Sequence, residues 1–350
     1  MDINALLKKL SQTTGLSGYE TKIRAEVLAE WGRFVDETRT DKVGNAVAIK
    51  RGYANKTRRK IMLAAHMDEI GFMVAGLSHG FLRISPIGGI DARVLPGQEV
   101  IVHGQQRDLP GIISSTPPHL LKPDDGSKVI SLDQLWIDVG LAPAQVNRLV
   151  SIGDLVSIRR AVTELKNGLL AGKAFDNRAS VAAVAVCLEL LATIQHRWDV
   201  IAVATVQEET SALGAATSAF GIAPDAAIAI DVTYGVQYGS AGNEVFPLDK
   251  GPTIGIGPNM QPKMTQGLIE AAQRIKLDHQ IEPMAGSSGT DGWLIQVARE
   301  GIPTGVVGIP LRSMHTPVEV VSPRDVERTG RLLAEFIGGL DEKFYQSLTE

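Results

Sequence analysis

Apolar and polar positions follow three different patterns along the chain. In the first, residues 4–10 and 19–32 carry apolar side chains at helical spacing, and the turn-like GLSG separates them. The runs AVAIKRG and KIMLAAH that follow are mostly apolar, which is typical of buried strands. This part of the sequence therefore predicts two helices followed by two strands.

The second pattern extends from about residue 69 to 165 and contains no convincing long helix. Short β-type runs alternate there with Gly, Pro and Asp turns, namely GFMVAGL, FLRISPI, EVIVHG, LPGIISS, QLWIDVG and DLVSIRRAV. Many short strands separated by turns predict a small β-barrel. We expect the barrel to be an insertion at 69–167, within a discontinuous domain formed by 1–68 and 168–350.

After residue 170, helical and strand patterns alternate. The predicted elements are ASVAAVAVCLELL, WDVIAVATV, SALGAATSAF, DAAIAID, KMTQGLIEAAQRI, TGVVGIP and a last helix that begins at SPRD. In SPRD, Ser322 is a good N-cap and Pro323 suits the first turn. Alternation of this kind predicts a sheet with helices on both faces. The predicted fold class is α/β, an α/β/α sandwich with a mixed sheet, plus the inserted small β-barrel.

Composition narrows the classes of function. The chain has 350 residues, of which 44% are hydrophobic, so a sizeable core is available. A net charge of −4 offers no basic excess to neutralise phosphates, which argues against a nucleic-acid or membrane partner. The single cysteine, Cys187, excludes an internal disulfide framework and suits a reducing compartment. Since the N-terminal residues also lack a signal-peptide core, we expect a cytoplasmic protein.

Acidic residues and histidines follow several apolar runs directly. The candidates are His66, Asp68, Asp176, Glu208, Glu209, Asp231 and His315. Each has an ordinary structural explanation: Asp176 could cap a helix, Asp231 could open a turn and His66 could be a core histidine. Open α/β sheets, however, bind their ligands at the carboxyl ends of strands. Two histidines with several carboxylates form a nitrogen and oxygen donor set that suits zinc, cobalt or manganese.

Six motifs in this order resemble the M42 family of metallo-aminopeptidases, the glutamyl aminopeptidase and TET type of clan MH. They are AAHMDEIGFMV, GKAFDNR, VQEE, AIDVT, SSGTDG and SMHTPVEV. The similarity spans essentially the whole chain and implies an aminopeptidase with two divalent metal ions per subunit, zinc or cobalt before manganese. It also implies peptide substrates and self-association into a homo-oligomer, commonly a tetrahedral dodecamer. We assign assembly or control of access to the inserted barrel.

The resemblance implies roles for individual residues. The metal ligands would be His66, Asp231, Glu209 and His315, with Asp176 bridging the two ions. Asp68 matches an acid that orients His66, and Glu208 matches the general base. A carboxylate that lies close to a metal without binding it can take the proton of a water and pass it to the leaving amine. Since neighbouring side chains of a strand point in opposite directions, we expect Glu208 and Glu209 to leave strand geometry.

Substrate binding is assigned to residues around SSGTDG and before His315. The candidates are Ser288, Gly289, Thr290, Asp291 and Arg312. The sequence departs from the family here, because SSGTDG replaces a more usual double glycine. After VQEE, Thr210 stands where the family usually has an apolar residue. These departures leave the preferred N-terminal residue of the substrate open.

Three other functions remain as alternatives. A metal-dependent amidase or deacylase of small molecules would use the same centre. A glycoside hydrolase would use the paired acids, although aromatic residues make up only 5% of the chain and no sugar-stacking platform stands out. A non-catalytic scaffold would keep the fold and metals but predicts a damaged base, whereas Glu208 is present.

Overall fold

The computed structural model describes residues 1–54, 58–120, 129–240, 242 and 244–349. Its helices, numbered along the chain, are α1 (Ile3–Gln12), α2 (Thr21–Trp31), α3 (Pro143–Leu149), α4 (Phe175–Leu191), α5 (Glu208–Ser211), α6 (Leu213–Ile222), α7 (Pro262–Arg274), α8 (Gly292–Ile295), α9 (Pro323–Gly338) and α10 (Glu342–Ser347). Its strands are β1 (Glu37–Thr40), β2 (Ala46–Lys50), β3 (Lys60–His66), β4 (Gly71–Ser78), β5 (Phe81–Ile87), β6 (Glu99–His103), β7 (Asp108–Ser115), β8 (Leu135–Asp138), β9 (Leu155–Ile158), β10 (Thr163–Glu164), β11 (Leu170–Gly172), β12 (Asp199–Thr205), β13 (Ala226–Tyr234), β14 (Thr253–Ile256), β15 (Gln280–Pro283), β16 (Thr304–Arg312) and β17 (Glu319–Val321).

The large sheet is mixed. Its strands lie in the order β1-β2-β12-β3-β13-β16-β17-β11-β10, with β14 beside β16 and β15 beside β14. The central strands β12, β3, β13 and β16 are parallel to one another. Their outer neighbours β2 and β17 run antiparallel to them. The parallel centre therefore brings four strand ends to one edge of the sheet, as the α/β pattern predicted.

Strand β3 shows why this sheet carries helices on both faces. Successive side chains of a strand point to opposite faces, so a strand buried on both sides is a continuous apolar run. Ile61, Leu63 and Ala65 pack into the larger core, which α1, α2, α4, α7 and α9 also build. Met62 and Ala64 pack into the opposite core with residues of α6 and α8. The predicted α/β/α sandwich is confirmed.

The inserted region forms a closed antiparallel barrel in the order β4-β5-β8-β7-β6-β9. Each of the six predicted runs contains one of these strands, and alternate residues such as Phe72 and Val74 fill the barrel core. The barrel strands extend from Gly71 to Ile158. Strand β10 already pairs with β11 of the large sheet, although both of its residues lie inside the predicted 69–167 insertion. The barrel thus leaves the large sheet after β3 and returns to it at β10.

The C-terminal region confirms one expectation and corrects another. The hydroxyl of Ser322 accepts a hydrogen bond from the N–H of Asp325, so Ser322 caps α9 as predicted. The prediction that this is the last helix is wrong, because α10 follows it. Helix α10 is held by packing of Phe344 edge-on against Trp198 and Phe336, contacts too distant in sequence for a local pattern to reveal. Within the described ranges, no helix is both long and apolar enough to cross a membrane.

Candidate metal centre

The candidate metal ligands gather where the parallel strands of the large sheet end. His66 is the last residue of β3, and Asp231 lies in the adjacent strand β13. Glu209 lies in α5 shortly after β12, and His315 follows β16. Asp176 reaches the same place from the first turn of α4. The fold therefore brings together all five residues that the sequence identified.

One group of possible ligands consists of His66, Asp176 and Asp231. Nε2 of His66 lies 3.1 Å from Oδ1 of Asp176 and 3.8 Å from Oδ1 of Asp231. One ligand atom from each of the three residues lies within 4.8 Å of the others, and all three residues are buried. This arrangement offers one imidazole nitrogen and two carboxylates to a single cation.

A second group consists of Asp176, Glu209 and His315. Nε2 of His315 lies 3.3 Å from Oδ2 of Asp176 and 3.5 Å from Oε2 of Glu209. Asp176 turns one oxygen to each histidine and therefore belongs to both groups. A carboxylate shared in this way can bridge two cations.

The donor set fits two divalent metal ions. Each group joins one histidine to two carboxylates, a mixture that suits zinc, cobalt and manganese. Burial raises the pKa of Asp231 well above its usual value, and Glu208 raises it further against the opposing effect of His66. Burial and the charge of Asp176 do the same to the pKa of Glu209. Because crowded buried carboxylates repel one another, a cation among them removes a cost that the two histidines only partly offset.

Asp176 behaves differently from the other carboxylates. Its burial alone would raise its pKa, but the contacts with His315 and His66 outweigh burial and leave the pKa below the usual value. It does not act as the cap of α4, because Ala174 occupies the N-cap position and Asp176 has an extended backbone with ψ of 102°. Asp231 likewise lies inside a strand and does not open a turn. The ordinary explanations offered from the sequence, a helix cap for Asp176 and a turn for Asp231, therefore do not describe the observed geometry.

The two adjacent glutamates leave strand geometry as expected. Strand β12 ends at Thr205, Gln207 has a left-handed backbone with φ of 57°, and α5 begins at Glu208. Oε2 of Glu208 lies 3.8 Å from Nε2 of His66, but Glu208 belongs to neither ligand group. Burial raises the pKa of Glu208, an effect that His66 opposes. Glu209 thus belongs to the second ligand group, whereas Glu208 lies beside the first.

Asp68 holds the turn that presents these glutamates. Its two carboxylate oxygens accept hydrogen bonds from the backbone N–H groups of Glu208 and Glu209, at 3.1 and 3.2 Å. Oδ1 also lies 3.4 Å from Nδ1 of His66. Asp68 is fully buried, so this carboxylate fixes the start of α5 and faces His66.

Glu319 is a component of the site that the sequence did not reveal. One of its carboxylate oxygens accepts the backbone N–H of Asp176 and the other that of His315, both at 3.1 Å. Burial, followed by the charge of Asp176, raises the pKa of Glu319 well above its usual value. The residue lies within the motif SMHTPVEV, but nothing in that motif indicates that its side chain turns back to the backbone of Asp176.

A cavity of about 300 Å³ opens beside the two groups. Of the residues assigned to substrate binding, Ser288, Gly289 and Thr290 line this cavity. Asp291 is buried behind it, where it accepts a hydrogen bond from the Thr205 hydroxyl and burial raises its pKa to about 7. Arg312 is outside the lining and donates from Nε to the carbonyl of Val236. The cavity also contains residues that the sequence did not single out, including Glu282 and Gly89.

One wall of the centre comes from the barrel. A Cβ added to Gly89 would lie 3.2 Å from Nδ1 of His315. A Cβ added to Gly88 would lie 2.7 Å from Cγ2 of Ile70 and 3.3 Å from Oε2 of Glu209. The segment after β5 therefore approaches the second ligand group so closely that only glycine leaves those side chains undisturbed.

Comparisons with known proteins identify the family of the chain. The sequence model of the M42 glutamyl aminopeptidase family matches residues 44–332. A lysyl aminopeptidase of Pyrococcus furiosus is 36% identical over 93% of this chain and 94% of its own length. The structure of a TET aminopeptidase from a marine sediment thaumarchaeon has a TM-score of 0.93, with 30% identity over 99% of this chain and 98% of that chain.

A third relative is described by its assembly. The Pyrococcus horikoshii TET1 peptidase, described as able to form a tetrahedron or a large octahedral shell, has a TM-score of 0.84 and 29% identity over 97% of this chain and 100% of that chain. The family match covers most of the chain, and the relatives share the fold across nearly their whole length. The chain therefore belongs to the M42 family and is an aminopeptidase.

Proposed function

We propose that the chain removes N-terminal residues from peptides with the help of two divalent metal ions. One ion would be held by His66 and Asp231 and the other by Glu209 and His315, with Asp176 as the bridge. The observation that carries this proposal is the pair of overlapping ligand groups that share Asp176. Bound divalent ions supply Lewis acidity, which polarises a carbonyl group and makes a water more acidic.

Glu208 is proposed as the general base. Its carboxylate lies beside His66 without belonging to either ligand group, so it remains available to hold a proton. Burial raises its pKa, which brings the carboxyl closer to the range in which it can both accept and return a proton. Asp68 acts through position, because it fixes the backbone from which Glu208 extends.

Zinc or cobalt is the proposed metal, with manganese as a further possibility, because each group joins one imidazole to carboxylates. We also propose that the chain forms a homo-oligomer, a tetrahedral dodecamer in particular. The support is the P. horikoshii relative, which is described as able to assemble into a tetrahedron or a large octahedral shell. The barrel is proposed to serve assembly or access.

Metal dependence tests the proposed chemistry directly. Protein stripped with a chelator should lose hydrolysis of aminoacyl-p-nitroanilides, and zinc, cobalt or manganese added singly should restore it. The matched control uses the same substrates with an N-acetylated amine, which an aminopeptidase should reject. Full activity in protein shown by mass spectrometry to be metal-free would contradict the proposal.

The same assay separates the alternative functions. Faster hydrolysis of N-acetyl amino acids than of free-amine substrates would favour an amidase or deacylase. Release of reducing sugar from polysaccharides with no peptidase activity would favour a glycoside hydrolase. Bound metal with no hydrolysis of any substrate would favour a scaffold.

A further inference from the structure

The cavity beside the metal centre contains a carboxylate that has no role in the centre itself. Glu282 lies in β15 and lines the cavity together with the ligand residues. Oε1 accepts a hydrogen bond from the Thr233 hydroxyl at 2.7 Å, and Oε2 accepts one from the Thr253 hydroxyl at 2.5 Å. Two hydroxyl donors therefore fix the direction of this carboxylate without neutralising it.

Glu282 lacks a cation within the part of the chain that the structure describes. No lysine, arginine or histidine among those residues lies within ion-pairing distance of its carboxylate, and none contributes to the shift of its pKa, which burial raises. Glu69, another buried acid, is by contrast paired with Lys173 and Arg178. A half-buried carboxylate without a cation is costly to maintain, and a positively charged ligand would remove that cost.

The position of Glu282 relative to the metal centre follows from strand β13. Asp231 and Thr233 are two residues apart on this strand, so both side chains point to the same face and are separated by about 6.6 Å along it. Asp231 belongs to the first ligand group, and Thr233 holds Glu282. The carboxylate thus lies in the same cavity as Asp231, held by the next residue on that face of the strand.

Glycine at position 308 makes room for this arrangement. Gly308 lies in β16, where it pairs with Asp231 of β13 on one side and with Thr253 of β14 on the other. A Cβ at Gly308 would lie 2.3 Å from the Thr253 hydroxyl and 3.1 Å from Oε2 of Glu282. Any larger residue would therefore collide with the Thr253 hydroxyl and crowd the Glu282 carboxylate.

The remaining walls suit an aliphatic stem. Met284 and Val306 provide apolar surface, and Ser288 and Thr290 provide small polar side chains. A lysine or arginine places a flexible apolar stem between its backbone and its charged head, which matches apolar walls that end in a fixed carboxylate.

We infer that Glu282 is the specificity-determining residue of the pocket and selects peptides whose N-terminal residue is lysine or arginine. This inference rests on the proposed aminopeptidase chemistry, since the metal centre would hold the N-terminal amide while Glu282 binds the basic side chain. Glu282 takes no part in the bond cleavage.

The test compares p-nitroanilides of lysine, arginine, methionine and glutamate on the wild type and on Glu282→Gln. Wild type should prefer the two basic substrates. Glu282→Gln keeps the shape but not the charge, so kcat/KM for lysine should fall roughly 10–100-fold, mainly through KM, because a hydrogen bond to a charged group is lost. Methionine is the matched neutral substrate, and its hydrolysis should be nearly unchanged. Glu282→Lys should shift preference towards glutamate.

Each contrary result has a distinct meaning. Equal losses for lysine and methionine in Glu282→Gln, or a wild type that prefers methionine or glutamate, would overturn the role of Glu282 while leaving the aminopeptidase proposal intact. Absence of turnover for every substrate would overturn the aminopeptidase proposal and this inference with it. Calorimetric binding of lysinamide and methioninamide gives a second readout, in which only lysinamide should bind more weakly to Glu282→Gln.

Discussion

Asp68 illustrates how single residues organise the centre. Its carboxylate accepts two backbone N–H groups at the start of α5 and faces Nδ1 of His66. Glu319 has an equivalent role for two other residues, because its carboxylate accepts the backbone N–H groups of Asp176 and His315. The ligands are thus held from behind by carboxylates that would not touch the metal, which fixes their direction before any ion binds.

The different positions of Glu208 and Glu209 predict different defects. Glu208→Gln should nearly eliminate turnover while both metals stay bound, because Gln cannot accept a proton and loss of a general base costs about 10²–10⁴-fold in rate. Glu209→Gln should lose affinity for one ion, since it removes an anionic member of the second ligand group. The experiment measures the metal content of each variant by mass spectrometry, together with its kcat.

High metal concentration provides the control for this pair. Activity of Glu209→Gln should partly recover as metal is added, whereas Glu208→Gln should not respond. Loss of metal in Glu208→Gln with retention of both ions in Glu209→Gln would mean that the two roles are reversed. Unchanged turnover in both variants would show that the proposed site is wrong.

At the scale of elements, the segment after β5 carries the barrel into the metal centre. Gly88 has a left-handed φ of 76° and faces Glu209, while Gly89 faces His315. The sequence predicted the barrel strands but placed no part of the insertion at the site. The contact of Gly88 and Gly89 with the second ligand group depends on how the barrel packs against the large sheet.

Gly88→Ala should weaken metal binding at the second ligand group and lower kcat. Its Cβ would collide with Ile70 and crowd Glu209. Gly97→Ala is a matched control, because Gly97 has a similar φ of 83° but open space around its Cβ position. Both variants should lose about 1 kcal/mol of stability from backbone strain, and only Gly88→Ala should lose metal. Equal metal content in the two variants would contradict the contact.

At the scale of the whole molecule, the barrel has a hydrophobic core of its own, distinct from the cores of the sandwich. The five proposed ligands and Glu208 lie outside the barrel strands, and the Cβ position of Gly71 is 2.9 Å from the carbonyl oxygen of Val156, so the first and last barrel strands are adjacent. The barrel also exposes large apolar side chains, such as Ile112 and Ile152 at 44% and 70%. Such side chains are candidates for burial between subunits.

Deleting about residues 72–162 and joining the ends with a short linker should preserve metal binding but change the oligomeric mass. The retained residues include all five ligands and β10, which pairs with the large sheet. Sedimentation measures the mass, while circular dichroism and metal content establish that the remaining domain is folded. A folded deletion variant with the same number of subunits as the full chain would contradict a role of the barrel in assembly.

Local sequence was sufficient for the main elements. The apolar run of β3, the six barrel strands and the long helix α4 each follow from periodicity and turn residues, because hydrophobic burial acts on patterns a few residues long. The short strands β11 and β17 and helix α10 were not predicted. They form through pairing and packing with distant parts of the chain, and their own residues have little pattern.

For the candidate site, the sequence by itself determined the candidate donor residues, because the six motifs that resemble the M42 family contain all of them. Only the tertiary structure decided how they combine: Asp176 is shared by two groups, Asp68 and Glu319 hold them from behind, and the barrel supplies one wall. The structure also shows which residues assigned to substrate binding reach the cavity: Ser288, Gly289 and Thr290 line it, whereas Asp291 and Arg312 do not. Glu282 had no sequence signal at all. Its significance comes from the two threonines and the glycine that the neighbouring strands place around it, and strand pairing between distant segments cannot be read from any one of them.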